Sequence, residues 1–388
     1  MYVCERLWGK ERELGFEGEI WFFQENEDDP FRIVAALYDT NRSQLAGGVH
    51  IGLIGPQEDQ WANADAAVAH IVGKAKNMRE KIVLNGLHIR CDVDGMKVAI
   101  ICTRPLARDE RKRAFEFLGK VSIIMSDGIG KMCLIGGDVR TSSEDLLHAW
   151  HVAPEHIVGR PREEGGIGDT GMPTALGAAD TIYFVCTTYG DHAWSKKTVS
   201  ICGLGKVGGG LARILMRDGY QLILSDSNPA LYADLGSDLL AICPVKADRF
   251  STFYFISHRK VHREAATVFA PCAVRPIIRL DTIDEFSRSL KAIVSAQNDE
   301  IDLGCPFELA QMLHDRGIVY VPGPAVNSLG IQMLLREHDL ERIPYEEILI
   351  EERALHLDVL RSLLLQAKNE DRPPYAIAME RIARGLNQ

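Results

Sequence analysis

The distribution of hydrophobic and polar positions changes near the middle of the chain. The first half combines short alternating runs, at Glu19–Phe23 and Arg32–Tyr38, with helical patterns at 58–80 and 107–125. After Trp194, short apolar runs alternate with helical stretches, which is typical of a parallel sheet with crossover helices. We therefore predict an α/β protein whose parallel sheet lies in the second half.

Three further segments predict a pair of strands, a connection and a set of helices. Residues 81–103 predict two strands joined by a turn at Asp94-Gly95, a dipeptide that favours a tight hairpin. The Gly/Pro-rich segment 159–173 predicts an interdomain connection or a loop on the substrate side. After about residue 330 the chain predicts helices again, including an amphipathic run at Ile348–Leu365.

Composition and charge narrow the class of protein. The chain has 388 residues, of which 46% are hydrophobic and 25% charged, so two globular domains are expected. A net charge of −10 argues against nucleic acid as the main partner. The chain contains no apolar run long enough for a membrane span, and the charged N-terminus does not resemble a secretory signal. Nine scattered cysteines without a CxxC motif favour reduced thiols in the cytoplasm.

Histidine spacing gives no convincing metal site. His258 and His262 are four residues apart and could share a helix face, but zinc would need further ligands. The strongly charged surroundings favour a solvated helix instead, so we predict that no metal is bound.

The sharpest motif is a glycine-rich turn formed by Gly203, Gly205 and Gly208. It follows the apolar strand Thr198–Cys202 and opens a predicted helix, Val207–Arg217. The first glycine permits a tight turn, the second allows backbone to approach a pyrophosphate, and the third lets helix and strand pack closely. The motif predicts dinucleotide binding; the alternative is a glycine-rich turn in a domain that binds no nucleotide.

An acidic residue supports the nucleotide interpretation and favours one cofactor. Asp226 follows the next strand, Gln221–Ser225, at the spacing expected of an acid that binds ribose hydroxyls. Its charge would repel a 2′-phosphate, and Ser227-Asn228 supplies no arginine, so NAD is favoured over NADP. Lys206 and Val207 open the helix whose free N–H groups would face the phosphates.

Three charged residues lie in apolar surroundings: Lys81, Lys97 and Asp138. Each alone is typical of a surface charge at a strand end. With these three residues, the chain resembles the amino-acid dehydrogenases, specifically the leucine/phenylalanine/valine dehydrogenase branch. The resemblance extends over roughly residues 30–335. The resemblance implies that Lys81 binds the substrate carboxylate, that Lys97 is the catalytic lysine and that Asp138 is the catalytic aspartate.

The same resemblance assigns ligands to further positions. They are Gly47 and Gly48 beside the substrate, Thr174 at the nicotinamide amide, Ala270 and Cys272 near the adenosine, Asn298 near the nicotinamide ribose and the substrate carboxylate, and Asn327 beside the substrate.

The residue types suit reductive amination and its reverse. Lys81 can hold a carboxylate by a charge-assisted hydrogen bond. Lys97, in a desolvated cleft beside a second cation, would be more readily neutral and could activate the water that adds to an imine carbon. Asp138 would move protons to and from the amino nitrogen, and nicotinamide would exchange the hydride.

Several neighbours depart from the family pattern. Gly95 is the one glycine retained in the turn before Lys97, and Asp94, if close to Lys97, would favour its charged form and oppose its role as a base. Ala46 replaces a frequent leucine and suggests a roomier substrate pocket. Arg140 replaces a small residue and suggests an additional anion contact.

These observations predict a two-domain α/β enzyme with its active site in the interdomain cleft. Residues 1–155, completed by helices at 335–388, would form the substrate and oligomerisation domain, and 156–334 a Rossmann-type NAD-binding domain. The expected function is NAD-dependent, reversible oxidative deamination of an apolar or aromatic L-amino acid to a 2-oxo acid and ammonia, by a cytoplasmic homo-oligomer. Two alternatives stay open: a dehydrogenase or imine reductase acting on an unusual biosynthetic substrate, and a catalytically silent NAD-binding regulatory protein.

Overall fold

The computed structural model describes residues 3–7, 9–38, 41–55, 61–190, 198–242, 253–273, 276–298, 300–302 and 304–387. The chain forms two compact units. The first contains Met1–Thr170 and Ile331–Ile348, and the second contains Gly171–Gly330 and Leu349–Gln388. Among the described residues, no helix is long and apolar enough to cross a membrane.

The first unit contains an N-terminal sheet and the helices that cover it. Its strands are β1 (Val3–Arg6), β2 (Gly18–Gln24), β3 (Phe31–Tyr38), β4 (Gln44–Leu53), β5 (Val93–Cys102) and β6 (Met132–Gly137). Its helices are α1 (Lys10–Glu13), α2 (Ala64–Leu84), α3 (Leu87–Arg90), α4 (Arg108–Ile129) and α5 (Ser143–Trp150), followed by 3₁₀ turns at Arg162–Glu164 and Glu337–Glu341.

The strands of the first unit form one sheet in the order β1-β2-β3-β5-β4-β6. Strands β1, β2, β3 and β5 pair antiparallel, whereas β4 is parallel to both β5 and β6. Because side chains alternate across a strand, Val98 and Ile100 of β5 pack with α4, whereas Ala99 and Ile101 pack with α2 on the opposite face. Lys97, two residues before Ala99, therefore shares the face covered by α2.

The second unit contains the parallel sheet. Its elements are α6 (Gly171–Thr188), β7 (Thr198–Cys202), α7 (Lys206–Arg217), β8 (Gln221–Ser225), α8 (Ala230–Ile242), β9 (Phe253–Phe255), β10 (Val268–Pro271), β11 (Ala292–Val294), α9 (Pro306–Asp315), β12 (Val319–Val321), α10 (Gly323–Val326) and α13 (Pro374–Leu386), with 3₁₀ turns at Val261–Arg263 and Ile283–Glu285. Helices α11 (Leu329–Leu335) and α12 (Tyr345–Glu370) contain the residues at which the chain changes unit.

All strand pairs of this second sheet are parallel, in the order β12-β11-β10-β7-β8-β9. That order is the doubly wound arrangement of a Rossmann-type dinucleotide-binding fold, in which ligands bind beyond the carboxyl ends of the strands. The prediction of an α/β protein with a Rossmann-type domain is confirmed.

The two units differ from the predicted domains at the C-terminus. The prediction joined 335–388 to the first domain, but residues 349–388 belong to the second unit. Arg353 of α12 forms a two-pronged ion pair with the buried Asp180 of α6, both contacts at 2.6 Å. Tyr375 of α13 stacks on Tyr320 of β12, with 5.8 Å between ring centroids. These long-range contacts attach the terminal helices to the parallel sheet.

The predicted turn at Asp94-Gly95 is wrong, because β5 passes through both residues without a break. The Asp94 carboxylate accepts the Gly95 N–H at 2.6 Å and pairs with Arg79 Nε at 3.2 Å. A methyl group at Gly95 would lie 2.5 Å from the Arg79 backbone nitrogen. The glycine is therefore required because α2 crosses closely over the start of β5.

Candidate active site

Lys97 and Asp138 form an ion pair across strand β4 of the first unit. Lys97 lies on β5 and is 2% exposed, Asp138 directly follows β6, and β4 runs between the two strands. The Lys97 ammonium donates to Asp138 Oδ2. A methyl group at Gly48 of β4 would lie 2.8 Å from Asp138 Cβ and 3.3 Å from Lys97 Nζ. The absence of a side chain at Gly48 is thus what lets the lysine reach the aspartate.

Gly47 allows the backbones of β4 and β5 to approach each other beside this ion pair. A methyl group there would collide with the carbonyl of Met96, the residue before Lys97. The glycine pair therefore permits close approach of β4 and β5 on one side and contact between the charged side chains on the other.

The carboxylate of Asp138 is ionised and held in a fixed turn. Burial acts to raise its pKa, but the charge and hydrogen bond of Lys97 outweigh burial and hold the pKa well below its ordinary value. The Asp138 N–H donates to Thr141 Oγ1 at 2.8 Å, and Arg111 donates to the Arg140 carbonyl at 2.7 Å. The loop therefore presents a charged proton acceptor beside Lys97.

Helix α2 contributes a buried polar stripe to this face of the sheet. His70, Lys74, Asn77 and Lys81 follow one another at intervals of four, three and four residues, so they lie on one side of the helix. Lys74, Asn77 and Lys81 are all buried, with Lys81 6% exposed. The charge of Lys74 acts on Asp138. Lys81 thus lies on the same helix face as a second lysine that is coupled to the Lys97–Asp138 pair.

The structure shows the surroundings of three residues that depart from the family pattern. Asp94 pairs with Arg79, as described for β5. Ala46 is buried in an apolar cluster that includes Leu134 and Leu334, so it faces packed side chains. The side chain of Arg140 is exposed, and its backbone is left-handed, with φ 60°. The additional anion contact proposed for Arg140 stays a prediction.

The glycine-rich turn of the second unit has the geometry that its spacing predicts. Gly203 has φ +95°, and a methyl group there would lie 2.8 Å from the Ala273 nitrogen. A methyl group at Gly208 would collide with the carbonyl oxygen of Gly203. At Gly205, by contrast, a methyl group would meet no atom within 4 Å. The first and third glycines are required by packing, whereas the second faces open space.

That open space suits a pyrophosphate. Gly205 is the N-cap of α7, with Lys206 exposed and Val207 half-buried in the first turn. The N-terminal N–H groups of a helix have no partner within the helix and carry positive dipole, which favours phosphate. Gly210, further along α7, is explained differently, because a methyl group there would lie 3.0 Å from Met172 Sδ and 3.1 Å from Ala175 Cβ. It allows α6 to pack against α7.

Asp226 lies directly after β8 and braces the turn. Its carboxylate accepts the Leu204 N–H at 2.6 Å and the Asn228 N–H at 2.7 Å. A carboxylate offers about four acceptor positions, so capacity remains for ribose hydroxyls. The residue can therefore brace the turn and bind a ribose at the same time.

Three further predicted cofactor residues, Ala270, Cys272 and Thr174, also lie in the second unit. Ala270 is buried in β10, where it pairs with Ile201 of β7. Cys272 follows that strand, and its Cβ would lie 3.2 Å from a methyl group at Gly208. Burial raises the pKa of the Cys272 thiol, which disfavours a nucleophilic role. Thr174 is buried in the first turn of α6.

Asn298 and Asn327 are brought together by the loops after β11 and β12. Asn327 Nδ2 donates to Asn298 Oδ1 at 2.7 Å and to the Ala296 carbonyl at 3.2 Å. Asn327 Oδ1 is buried and, among the described residues, accepts no hydrogen bond. The pair therefore presents amide groups at the carboxyl edge of the parallel sheet, where this fold binds ligands.

The histidine pair set aside as a solvated helix has another structure. Residues 261–263 form a 3₁₀ turn, and His262 is buried, with Nε2 2.8 Å from Glu285 Oε2. The prediction of a solvated helix is therefore wrong at His262, because the ring packs beneath Glu285. In the part of the chain that the structure describes, no group of three or more His, Cys, Asp or Glu side chains is placed to hold a metal.

Sequence reasoning did not identify His50 and Lys74. His50 lies two residues after Gly48 on β4, hence on the same face of the strand. Lys74 lies seven residues before Lys81, which is two helical turns. Both spacings are visible in the sequence once Gly48 and Lys81 are assigned to one site.

The chain is similar in sequence to known amino-acid dehydrogenases. The model of the Glutamate/Leucine/Phenylalanine/Valine dehydrogenase family matches residues 165–337. A phenylalanine dehydrogenase from Thermoactinomyces intermedius is 26% identical over 341 residues, which cover 88% of this chain and 83% of the relative. These similarities support a divergent member of this dehydrogenase family.

The chain is also similar to other amino-acid dehydrogenases. A leucine dehydrogenase from Bacillus subtilis is 23% identical over 317 residues, covering 81% of this chain and 78% of the relative. The crystal structure of L-tryptophan dehydrogenase from Nostoc punctiforme shares the fold, with a TM-score of 0.64 and 18% identity over 98% of this chain and 100% of that chain. The family consists of amino-acid dehydrogenases, which are oxidoreductases acting on CH–NH2 groups, typically with nicotinamide cofactors.

Proposed function

We propose that this dehydrogenase catalyses NAD-dependent, reversible oxidative deamination of an apolar or aromatic L-amino acid to the 2-oxo acid and ammonia. The contact between the Lys97 ammonium and the Asp138 carboxylate across Gly48 carries the proposal. It places a proton donor and a proton acceptor in contact on a buried sheet face. The phenylalanine and leucine dehydrogenases among the relatives support the substrate class.

The residues of the first unit handle the substrate in this proposal. Lys81 binds the α-carboxylate and orients the Cα–H bond. Asp138 removes a proton from the substrate ammonium, so that departure of the hydride from Cα of the neutral amine leaves an iminium ion. Lys97 then polarises the water that adds to the imine carbon and stabilises the oxygen charge that develops. In the reverse direction the same groups return the protons.

The second unit would hold the cofactor, which supplies hydride exchange at nicotinamide when it is bound. The N–H groups of α7 beside Gly205 would bind the pyrophosphate, and Asp226 the adenosine ribose. Thr174, Asn298 and Asn327 would orient the nicotinamide end and the substrate carboxylate. The charge of Asp226, with no arginine at Ser227-Asn228, supports NAD over NADP.

A substrate panel tests the proposed function. The protein is incubated with NAD or NADP and each of the L-amino acids, and the absorbance of the reduced cofactor is followed. We expect turnover with apolar or aromatic members and at least about a tenfold preference for NAD, which corresponds to about 1.4 kcal/mol. Tight NAD binding without turnover of any member would overturn the proposal and favour a silent binding protein or an unusual substrate.

Gly48→Ala is expected to lower kcat about 10²-fold, with the fold retained. The new methyl group would press on Asp138 Cβ at 2.8 Å and displace the carboxylate from Lys97, and a misplacement of about 1 Å can cost about 10²-fold in rate. Steady-state kinetics on the best amino acid of the panel measure this effect. Gly73→Ala on α2 is the matched control, because a methyl group there meets no atom within 4 Å. A Gly48→Ala protein with the kcat of the control would contradict the proposed role of the pair.

We also propose, on the family resemblance, that the protein is a cytoplasmic homo-oligomer. The eight described cysteines are free thiols, which supports a reducing compartment. Size-exclusion chromatography with light scattering measures the oligomeric state, and a monomer at micromolar concentration would contradict this part of the proposal.

A further inference from the structure

His50 is a buried histidine beside Asp138 that the proposed mechanism does not use. It lies two residues after Gly48, so it shares the face of β4 on which Lys97 and Asp138 meet. Val49 pairs with Gly137, and the Ile51 N–H donates to the Val139 carbonyl at 3.2 Å. These flanking contacts place His50 level with Asp138 on the neighbouring strand.

The imidazole of His50 is held among aromatic rings. It is 9% exposed, and its Nδ1 has no hydrogen-bond partner among the described residues. Its ring centroid lies 5.1 Å from that of Trp61 and 5.2 Å from that of His70. Trp61 packs directly over Gly52 of β4, where a methyl group would collide with its ring. His50 thus lies between two other proton-carrying groups: Asp138 is level with it on the neighbouring strand, and the ring of the half-buried His70 is its neighbour on α2.

Burial keeps the His50 imidazole neutral. Burial is the largest effect and lowers the pKa of His50 to about 3. The negative charge of Asp138 acts to raise this pKa, whereas Lys97, His70 and Lys74 act to lower it. Among the described residues, these four groups, from β5, the end of β6 and α2, are the charged and titratable groups that act on it. A neutral imidazole can accept a proton at one nitrogen while it releases one from the other.

We propose that His50 passes protons between Asp138 and His70, and through His70 to solvent, a role that rests on the proposed dehydrogenase activity. In deamination Asp138 takes a proton from the substrate ammonium and becomes a neutral acid. His50, in the tautomer protonated at Nε2, accepts that proton at Nδ1 and releases the Nε2 proton toward His70. Asp138 is again a carboxylate, His50 is again neutral, and one proton leaves the site; no electron moves in this step. His50 acts through Asp138 and is therefore a positioning residue.

Substitution of His50 separates proton transfer from packing. His50→Phe keeps a ring against Trp61 but removes both nitrogens, and we expect kcat to fall about 10²-fold with KM within about twofold, because positioned proton transfer contributes at least about 10²-fold. Added imidazole should restore part of the lost kcat in proportion to its free base. His50→Gln, a second variant with a polar side chain, should show the same loss. His88→Phe, at another buried histidine of the first unit, is the matched control and should retain kcat.

The outcomes distinguish this role from a structural one and from failure of the proposed function. A wild-type protein without amino-acid turnover would overturn the proposed function, and the relay with it. With an active wild type, unchanged kcat in both His50 variants, or a loss that resides in KM and is not rescued by imidazole, would overturn the relay alone. A proton inventory needs no variant: wild-type kcat is plotted against the deuterium fraction of H2O–D2O mixtures. A curved plot supports transfer of more than one proton, and a linear or level plot contradicts the relay.

Discussion

Lys97→Ala is expected to lower kcat by about 10³-fold or more, while NAD affinity stays within about twofold. The substitution removes the group proposed to polarise water and stabilise the developing oxygen charge, two effects that each contribute about 10²-fold or more. It also removes the charge that holds down the pKa of Asp138, so that burial would raise this pKa and leave less carboxylate to accept a proton. The glycine-rich turn that is proposed to bind NAD lies in the other unit, so the affinity for NAD should not change. Steady-state kinetics and equilibrium NAD titration measure the two quantities.

Loss of Lys97 must be distinguished from loss of the fold. Breaking a buried ion pair costs about 3–5 kcal/mol when the remaining charge is buried without a partner. The Asp138 side chain is 32% exposed, so its hydration should reduce that cost. The double variant Lys97→Ala/Asp138→Asn removes both charges and should recover thermal stability without recovering turnover. Lys112→Ala, which removes an exposed lysine paired with Glu116 at 3.7 Å, serves as the control for a surface charge. Near wild-type kcat in Lys97→Ala would contradict the mechanism.

The glycine-rich turn at residues 203–208 was predictable because its requirements are local. Gly203 needs a positive φ, and Gly208 needs contact with a carbonyl five residues earlier. Both constraints fall within one strand–turn–helix segment, so the spacing of glycines records them directly. The parallel pairing of the strands likewise follows from the alternation of strands and helices in the second half of the chain.

The errors arose where distant residues decide the structure. Asp94-Gly95 has the local composition of a turn, yet the ion pair of Asp94 with Arg79 and the close passage of α2 keep it in a strand. The C-terminal helices join the second unit through pairs such as Arg353 with Asp180, which are 173 residues apart and leave no periodic trace. His50 was missed for a related reason. A single histidine in an apolar strand does not indicate a functional role until the fold places Asp138 beside it.

The glycines at 205 and 208 provide the second large effect, because the structure assigns them opposite consequences. Gly205→Ala should fold normally but weaken NAD binding about tenfold or more, since its methyl group would enter the open space beside the N-terminus of α7 that the pyrophosphate is proposed to occupy. Gly208→Ala should destabilise the second unit by about 1–3 kcal/mol or more, because its methyl group would collide with the Gly203 carbonyl. Thermal unfolding and NAD titration on both variants measure the contrast.

The contrast depends on a control within the same unit. Gly236→Ala on α8 brings a methyl group only to 3.5 Å from Phe255, an ordinary packing distance, and replacing a helical glycine by alanine favours the helix by about 1 kcal/mol. This variant should therefore keep both its stability and its NAD affinity. If Gly205→Ala bound NAD as tightly as Gly236→Ala, the pyrophosphate would not lie at the N-terminus of α7. If Gly205→Ala instead unfolded as readily as Gly208→Ala, the open space at Gly205 would be a requirement of folding, and the assignment of this turn to the cofactor would lose its main support.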